Sequence, residues 1–147
     1  MLCVSFPAWA ATRFVATTGN DTANDCLTDS MPCKTITYAL TQVAANDTIQ
    51  IAGGTYNPVL GETFPLTIGI NLTLTGSGAD TTIIDAGRTN RVLVISGATV
   101  AISGVTITGG FGFPIGGGMF SNGYVDERRS KWERGSVCLG RGRGRDC

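Results

Sequence analysis

Short runs of alternating apolar and polar residues fill the chain from Thr48 onward, and Arg91–Gly110 shows the pattern most plainly. Val92, Val94, Val100, Ile102, Val105 and Ile107 sit two apart within pieces broken by single glycines, with small polar residues or alanine between. Period-two alternation buries one set of side chains and leaves the other outside. Pieces this short cannot hold a hairpin sheet alone, so each is expected to stack on an equivalent piece from an earlier turn. Ile49/Ile51, Leu66/Ile68, Leu72/Leu74 and Ile83-Ile84 repeat the theme, each followed by a glycine-bearing turn. Their spacings are of quasi-repeat size. Ile49/Ile51 lead to Leu72/Leu74 after 23 residues, Leu66/Ile68 to Val92/Val94 after 26, Leu72/Leu74 to Val100/Ile102 after 28, and Ile84 to Ile107 after 23. Repeats of this length predict a solenoid, in which no turn can bury its apolar face without its neighbours.

Upstream the pattern changes. Thr12–Thr18 reads as a strand with Phe14 and Ala16 on one face, and residues 19–30 as a polar loop. Between Pro32 and Ala45 the apolar residues Ile36, Ala39, Leu40, Val43 and Ala44 follow helical spacing, which predicts an amphipathic helix. Pro32 or Thr35 is the expected start and Asn46-Asp47 the expected end. A lone helix ahead of a run of strands is expected to lie across the open apolar end of the coil.

The phrases PCKTITYAL, NDTIQIAGGTY, NLTLTGSGADTTIIDAG, RVLVISGATVAISGVTITGG and GGGMFSNG together resemble the opening of secreted bacterial proteins with a right-handed parallel β-helix, the pectin-lyase-like fold. The resemblance covers about residues 12–123. It implies an all-β, right-handed parallel β-helix solenoid with a short N-terminal capping helix, here of about three rungs. It also implies an exported or surface protein, secreted or held at the cell surface. The organisation expected from it is a signal-peptide remnant at 1–10, an N-terminal strand, Cys-bounded loop and capping helix at 11–47, rungs at 48–123, and a charged tail at 124–147.

Charge sharpens that last boundary. Residues 1–123 hold four basic and seven acidic residues, whereas 124–147 hold seven basic and four acidic, so a formal net charge of zero conceals −3 followed by +3. YVDERRSKWERGSVCLGRGRGRDC shows no alternation. It reads as a disordered solvated tail, or, given the abruptness, as sequence out of frame that cuts a longer solenoid short. Binding of GRGRGR to nucleic acid is a lesser reading. A coil stopped here offers unpaired edge groups, so self-association through its open C-terminal end is expected. No apolar run approaches the ~20 residues needed to span a bilayer.

At the other end, Ala8-Trp9-Ala10 fits the small-x-small rule for signal-peptide cleavage, leaving Ala11 as the first mature residue; a frayed apolar end or a first strand is the alternative. Export would let Cys26 and Cys33 close the loop LTDSMP as a local disulfide, the spacing and the lack of histidine arguing against a metal site.

Chemistry is sparse. Lyases and hydrolases of the resembled fold rely on clustered aspartates, but the phrases Asn-Thr-Asp, Asp-Asp and Gly-His-Gly do not occur. Asp80 and Asp85, with Arg88 and Arg91 near in sequence, are the remaining catalytic candidates; aspartates in such turns more often bond their own backbone. GGFGFPIGGG lacks the Lys-Ser/Thr of a phosphate loop and reads as a flexible connection. Within it Phe111 and Phe113 are candidates for stacking on a sugar ring. No cofactor or metal motif is found. The expected function is the non-catalytic N-terminal portion of an exported surface protein for adhesion or carbohydrate binding, with a polysaccharide or cell-surface glycan as partner. The alternative is the truncated start of a polysaccharide lyase or glycoside hydrolase whose catalytic rungs are missing.

Overall fold

In the computed structural model, which describes residues 9–112, 119–121, 124–128, 131–132 and 137–139, thirteen short strands and one helix follow one another. They are β1 (Thr12–Val15), α1 (Ile36–Gln42), β2 (Thr48–Ile51), β3 (Gly54–Tyr56), β4 (Leu66–Ile68), β5 (Leu72–Gly76), β6 (Thr82–Asp85), β7 (Leu93–Ile95), β8 (Thr99–Ser103), β9 (Thr106–Thr108), β10 (Met119–Ser121), β11 (Tyr124–Arg128), β12 (Lys131–Trp132) and β13 (Val137–Leu139). From β2 onward every third strand returns to the same ladder. The first ladder runs β1-β2-β5-β8-β11, the second β3-β6-β9-β12 and the third β4-β7-β10-β13. All pairings between these strands are parallel. The protein is therefore β-helix-like, a coil of three ladders around one core.

The core is built from rows of like residues stacked across turns. Leu72 lies over Val100 and Leu74 over Ile102. Tyr56, Ile84 and Ile107 form a second row, and Leu66, Leu93 and Met119 a third. All of these side chains are buried. Each contributes roughly 1.5–3 kcal/mol through burial, which three-residue strands could not gain singly. Where the first ladder turns toward the second, Gly76 and Gly104 stack so closely that a Cβ on Gly76 would fall 2.1 Å from the Gly104 carbonyl oxygen. A side chain there would wedge two turns apart.

Two of the four expected registers are found, Leu72/Leu74 on Val100/Ile102 and Ile84 on Ile107. The other two are corrected. Ile49 lies beside Leu74 rather than Leu72, a slip of two that keeps the inward face. Leu66 and Ile68 lie beside Leu93 and Ile95 rather than Val92 and Val94. That slip of one exchanges the faces: Val94 is half-buried on the outside, and Val92 is buried in the turn before β7. Val92-Leu-Val-Ile95 is apolar throughout, so alternation alone gives no phase.

The N-terminal segment follows different rules. In β1 the buried side chain is Val15, while Phe14 and Ala16 share the opposite, half-buried face. The free edge of β1 is covered by the loop that Cys26 and Cys33 close as a disulfide. Phe14 N donates to the Cys26 carbonyl at 2.7 Å, Cys33 N to the Phe14 carbonyl at 2.9 Å, and Ala16 N to the Cys33 carbonyl at 2.9 Å. The helix starts at Thr35, not Pro32, and stops before Val43, short of Asn46-Asp47. Asp47 accounts for the early stop, because its Oδ2 accepts the Ala44 amide at 2.9 Å and draws it out of helical register. Ile36 and Ala39 are buried, with Leu40 and Val43 packed beside them on the core.

Beyond Gly123, where the sequence reads as a charged tail, β11 continues the first ladder on β8, β12 the second on β9 and β13 the third on β10. Parallel pairing uses backbone groups alone, so an open edge can template a strand without side-chain alternation. Residues 1–8, Phe113 and the remainder of 124–147, including Cys147, lie outside the described residues.

Candidate functional site

Three carboxylates order the N-terminal segment: Asp21 and Asp47 bond within it, and Glu62 ties its helix to the coil. Glu62, 5% exposed, accepts the first two helical amides, Ile36 N at 2.6 Å and Thr37 N at 2.9 Å, and also the Thr37 hydroxyl. Thr35 completes the cap by accepting Tyr38 N at 3.0 Å. Burial pushes the Glu62 carboxyl above its ordinary value, against the pull of the Thr37 and Ile36 hydrogen bonds, and Asp21 adds to the rise. Asp21 in turn accepts Lys34 N at 2.7 Å, Thr35 N at 3.1 Å and the Thr35 hydroxyl at 2.8 Å. Asp47 is buried too. Burial alone would raise it, but the Ala44 and Ala11 amides and the Arg13 guanidinium outweigh that and hold it below the usual carboxylate range. Tyr56 is pushed up to about 12, chiefly by burial and further by Glu62; its hydroxyl donates to the Ala52 carbonyl at 2.9 Å. These perturbed groups all have structural partners.

The outward side chains of the first ladder form rows as regular as the core. Thr48, Thr73 and Ala101 make one row, and Gln50, Thr75 and Ser103 the next. Strands lie about 4.8 Å apart, so hydroxyls recur at that step; Ser103 Oγ donates to Thr75 Oγ1 at 3.5 Å. Between Thr48 and Ala79 the one charged residue is Glu62, and it is buried. Across β2, β5 and β8 these rows therefore offer hydroxyl and amide groups without charge, and in β11 the register continues with Asp126 beside Ala101 and Arg128 beside Ser103.

The corner after β6 gathers several of the residues singled out in the sequence. Asp85 Oδ1 accepts the Gly87 amide at 2.8 Å and fixes the turn. Gly109, at the end of β9, is pressed against it, with a positive φ of 64°. Arg88 N donates to the Gly109 carbonyl at 2.6 Å, and Phe111 N to the Asn90 carbonyl at 2.8 Å. These contacts place Phe111, 61% exposed, beside the exposed Arg88-Thr89-Asn90 turn. Asp80 is exposed at the opposite end of β6. Four residues, Thr81 in the turn and three of β6, separate the two aspartates, on the order of 10 Å or more of backbone. Nothing in the sequence marked Asp21 or Glu62, and Asp47 stood out only as the expected helix end, because their partners lie 13 to 36 residues away, Ala44 excepted.

Among the described residues no group of three or more His, Cys, Asp or Glu is placed to hold a metal ion, and no helix is long and apolar enough to cross a membrane. An open cleft of about 260 Å3 between α1 and β4 is lined by Thr37, Thr41, Thr63 and Thr67 over Leu40 and Pro65. It too is uncharged.

A family model described as "Protein of unknown function (DUF1565)", a family associated with right-handed β-helix proteins, matches residues 17–131. No curated protein and no solved structure matches the chain.

Proposed function

The chain belongs to the DUF1565 family, and on that footing we propose that it is the non-catalytic N-terminal portion of an exported β-helix surface protein that binds glycans. In this reading the coil is right-handed, as parallel crossovers generally are, and α1 with the disulfide loop caps its first turn. The observation that carries the reading is the exposed Phe111 ring at a corner edged by Asn90 and Arg88. Aromatic faces stack on the C–H faces of sugar rings, and the neighbouring amide and hydroxyl groups supply hydrogen bonds. On a separate face of the coil, the uncharged rows of β2, β5 and β8 offer a second surface suited to a neutral polysaccharide.

The test is retention on a panel of immobilised neutral and acidic polysaccharides. Wild type is expected to bind a neutral glycan, and Phe111→Ala to lose about tenfold or more in affinity with unchanged thermal unfolding. Equal binding by wild type and Phe111→Ala would remove this corner from the reading.

One observation favours the enzymatic alternative, the shared corner of Asp85 and Arg88, a carboxylate and a cation in one turn. It calls for turnover of a polysaccharide that Asp85→Asn abolishes. Because Asp85 also fixes the Gly87 turn, loss of activity counts only if Asp85→Asn unfolds at the wild-type temperature.

A further inference from the structure

The backbone of Ala11 is held at both ends. Its nitrogen donates to Asp47 Oδ1 at 2.7 Å, and its carbonyl accepts Thr48 N at 2.8 Å. The carboxylate that receives it is 1% exposed, and its other oxygen accepts Ala44 N at 2.9 Å and Arg13 Nε at 3.3 Å. One residue earlier the chain leaves the fold. Ala10 is exposed and Trp9 is 87% exposed. The Ala10–Ala11 bond thus stands at an abrupt step between chain that solvent and a protease can reach and a nitrogen seated on a buried anion. In sequence the same bond follows the small-x-small triplet Ala8-Trp9-Ala10.

We propose that the Ala10–Ala11 bond is a maturation site and that the α-ammonium released at Ala11 stays on Asp47 as an ion pair. The inference rests on the chain being exported. An endopeptidase that accepts small residues at the first and third positions before the cut would hydrolyse the amide. One water is consumed; Ala10 ends as a carboxylate and the Ala11 nitrogen as –NH3+. The nitrogen changes from a neutral donor to a cation with three N–H groups, while the Thr48-to-Ala11 hydrogen bond keeps it in place. Asp47 needs no rearrangement to receive it. The carboxylate already lies below its ordinary pKa, so it carries its negative charge near neutral pH. Arg13 is the other cation bonded to that carboxylate, and its repulsion limits the gain. Cleavage would thus strengthen the contact that joins β1 to the 43–47 loop and, through the Asp47 carbonyl that accepts Thr73 N at 3.0 Å, to β5.

Residues 1–147, with the basic and apolar segments of a complete bacterial export signal placed ahead of Met1, would be expressed in a bacterial host, recovered from outside the cytoplasm and sequenced from the N-terminus. The expected first residue is Ala11. An intact N-terminus, or a cut elsewhere, overturns the site. On the recovered chain, α-amine acylation is followed against pH in native buffer and in urea. An ion pair that raises the amine by one pKa unit makes native labelling about tenfold slower at a fixed pH and moves the rate–pH profile up by that unit. Asp47→Asn is expected to erase the displacement. Should that variant not fold, the native and urea profiles of the wild-type chain decide alone. Superimposed profiles overturn the ion pair. Either failure leaves the glycan reading to its own test at Phe111.

Discussion

The segment from Ala11 to Asp47 and the coil from Thr48 to Thr108 are held together by opposite means. In the coil, one residue type does one job many times. Aliphatic side chains stack in rows, threonines stand outside them, and glycines let the corners close. In the N-terminal segment almost every contact is individual. Asn24 alone donates to the carbonyls of Asn20, Met31 and Pro32, and accepts the Cys26 amide. Asp21, Asp47 and Glu62 each collect several donors from distant parts of the chain. The difference follows from position in the stack. A strand inside the coil finds its hydrogen bonds and its apolar contacts in the turns above and below. The first strand has a neighbour on one side, so its other edge must be satisfied by loops, side chains and a disulfide.

The contrast breaks most readily at the core. Leu74→Ala removes a fully buried side chain from the row it shares with Ile49 and Ile102. It is expected to lower unfolding free energy by about 2–5 kcal/mol in a denaturant titration. Were it to cost no more than the outward change Thr75→Ala beside it, apolar stacking would not be what holds the coil. At the N-terminal end, the double change Cys26→Ser with Cys33→Ser is expected to cost about 2–3 kcal/mol, as for any disulfide closing a short loop. Proteolysis followed by mass spectrometry would place the earliest cuts between Gly19 and Lys34 and spare the coil. Cuts spread evenly along the chain would mean that the two regions are not separate in stability.

Asp47→Asn is expected to cost about 1–3 kcal/mol, because it weakens charge-assisted hydrogen bonds from Ala11, Ala44 and Arg13 together. Its effect has a definite dependence on pH. The folded Asp47 carboxyl lies below its ordinary value of 3.8, so its contribution is present above that value and fades as pH falls through the folded pKa. Glu62 has the opposite sign. Its folded carboxyl lies above the ordinary 4.5, so its titration favours the fold at low pH, and that contribution fades as pH rises through the folded pKa. Unfolding temperature measured against pH should therefore show Asp47→Asn and wild type converging in acid. Parallel curves would count against the Asp47 contacts as drawn. The smallest effect belongs to the outer rows. Thr75→Ala and Ser103→Ala are expected to change stability by less than about 0.5 kcal/mol, which leaves those positions free to serve a ligand.

How far the sequence reaches differs between the two regions for the same reason. Its alternation and repeat spacing determined that a coil of short strands exists and which residues near Leu72–Gly76 and Thr99–Ser103 face inward, while the parallel direction came from the family resemblance. Helical spacing located α1 to within a turn, and the Cys26–Cys33 spacing marked the disulfide. These features repeat along the chain or involve near neighbours, so local pattern suffices. Only the tertiary structure decided the register of β7, because Val92-Leu-Val-Ile95 satisfies either phase and the choice falls to the turn lengths and to Leu66 and Ile68 beside it. Only the tertiary structure assigned Asp47 to Ala11, Glu62 to the helix start, and Phe111 to the corner of Asn90. A carboxylate chooses its partner by which amides the fold brings within 3 Å of it, and no spacing along the chain encodes that distance.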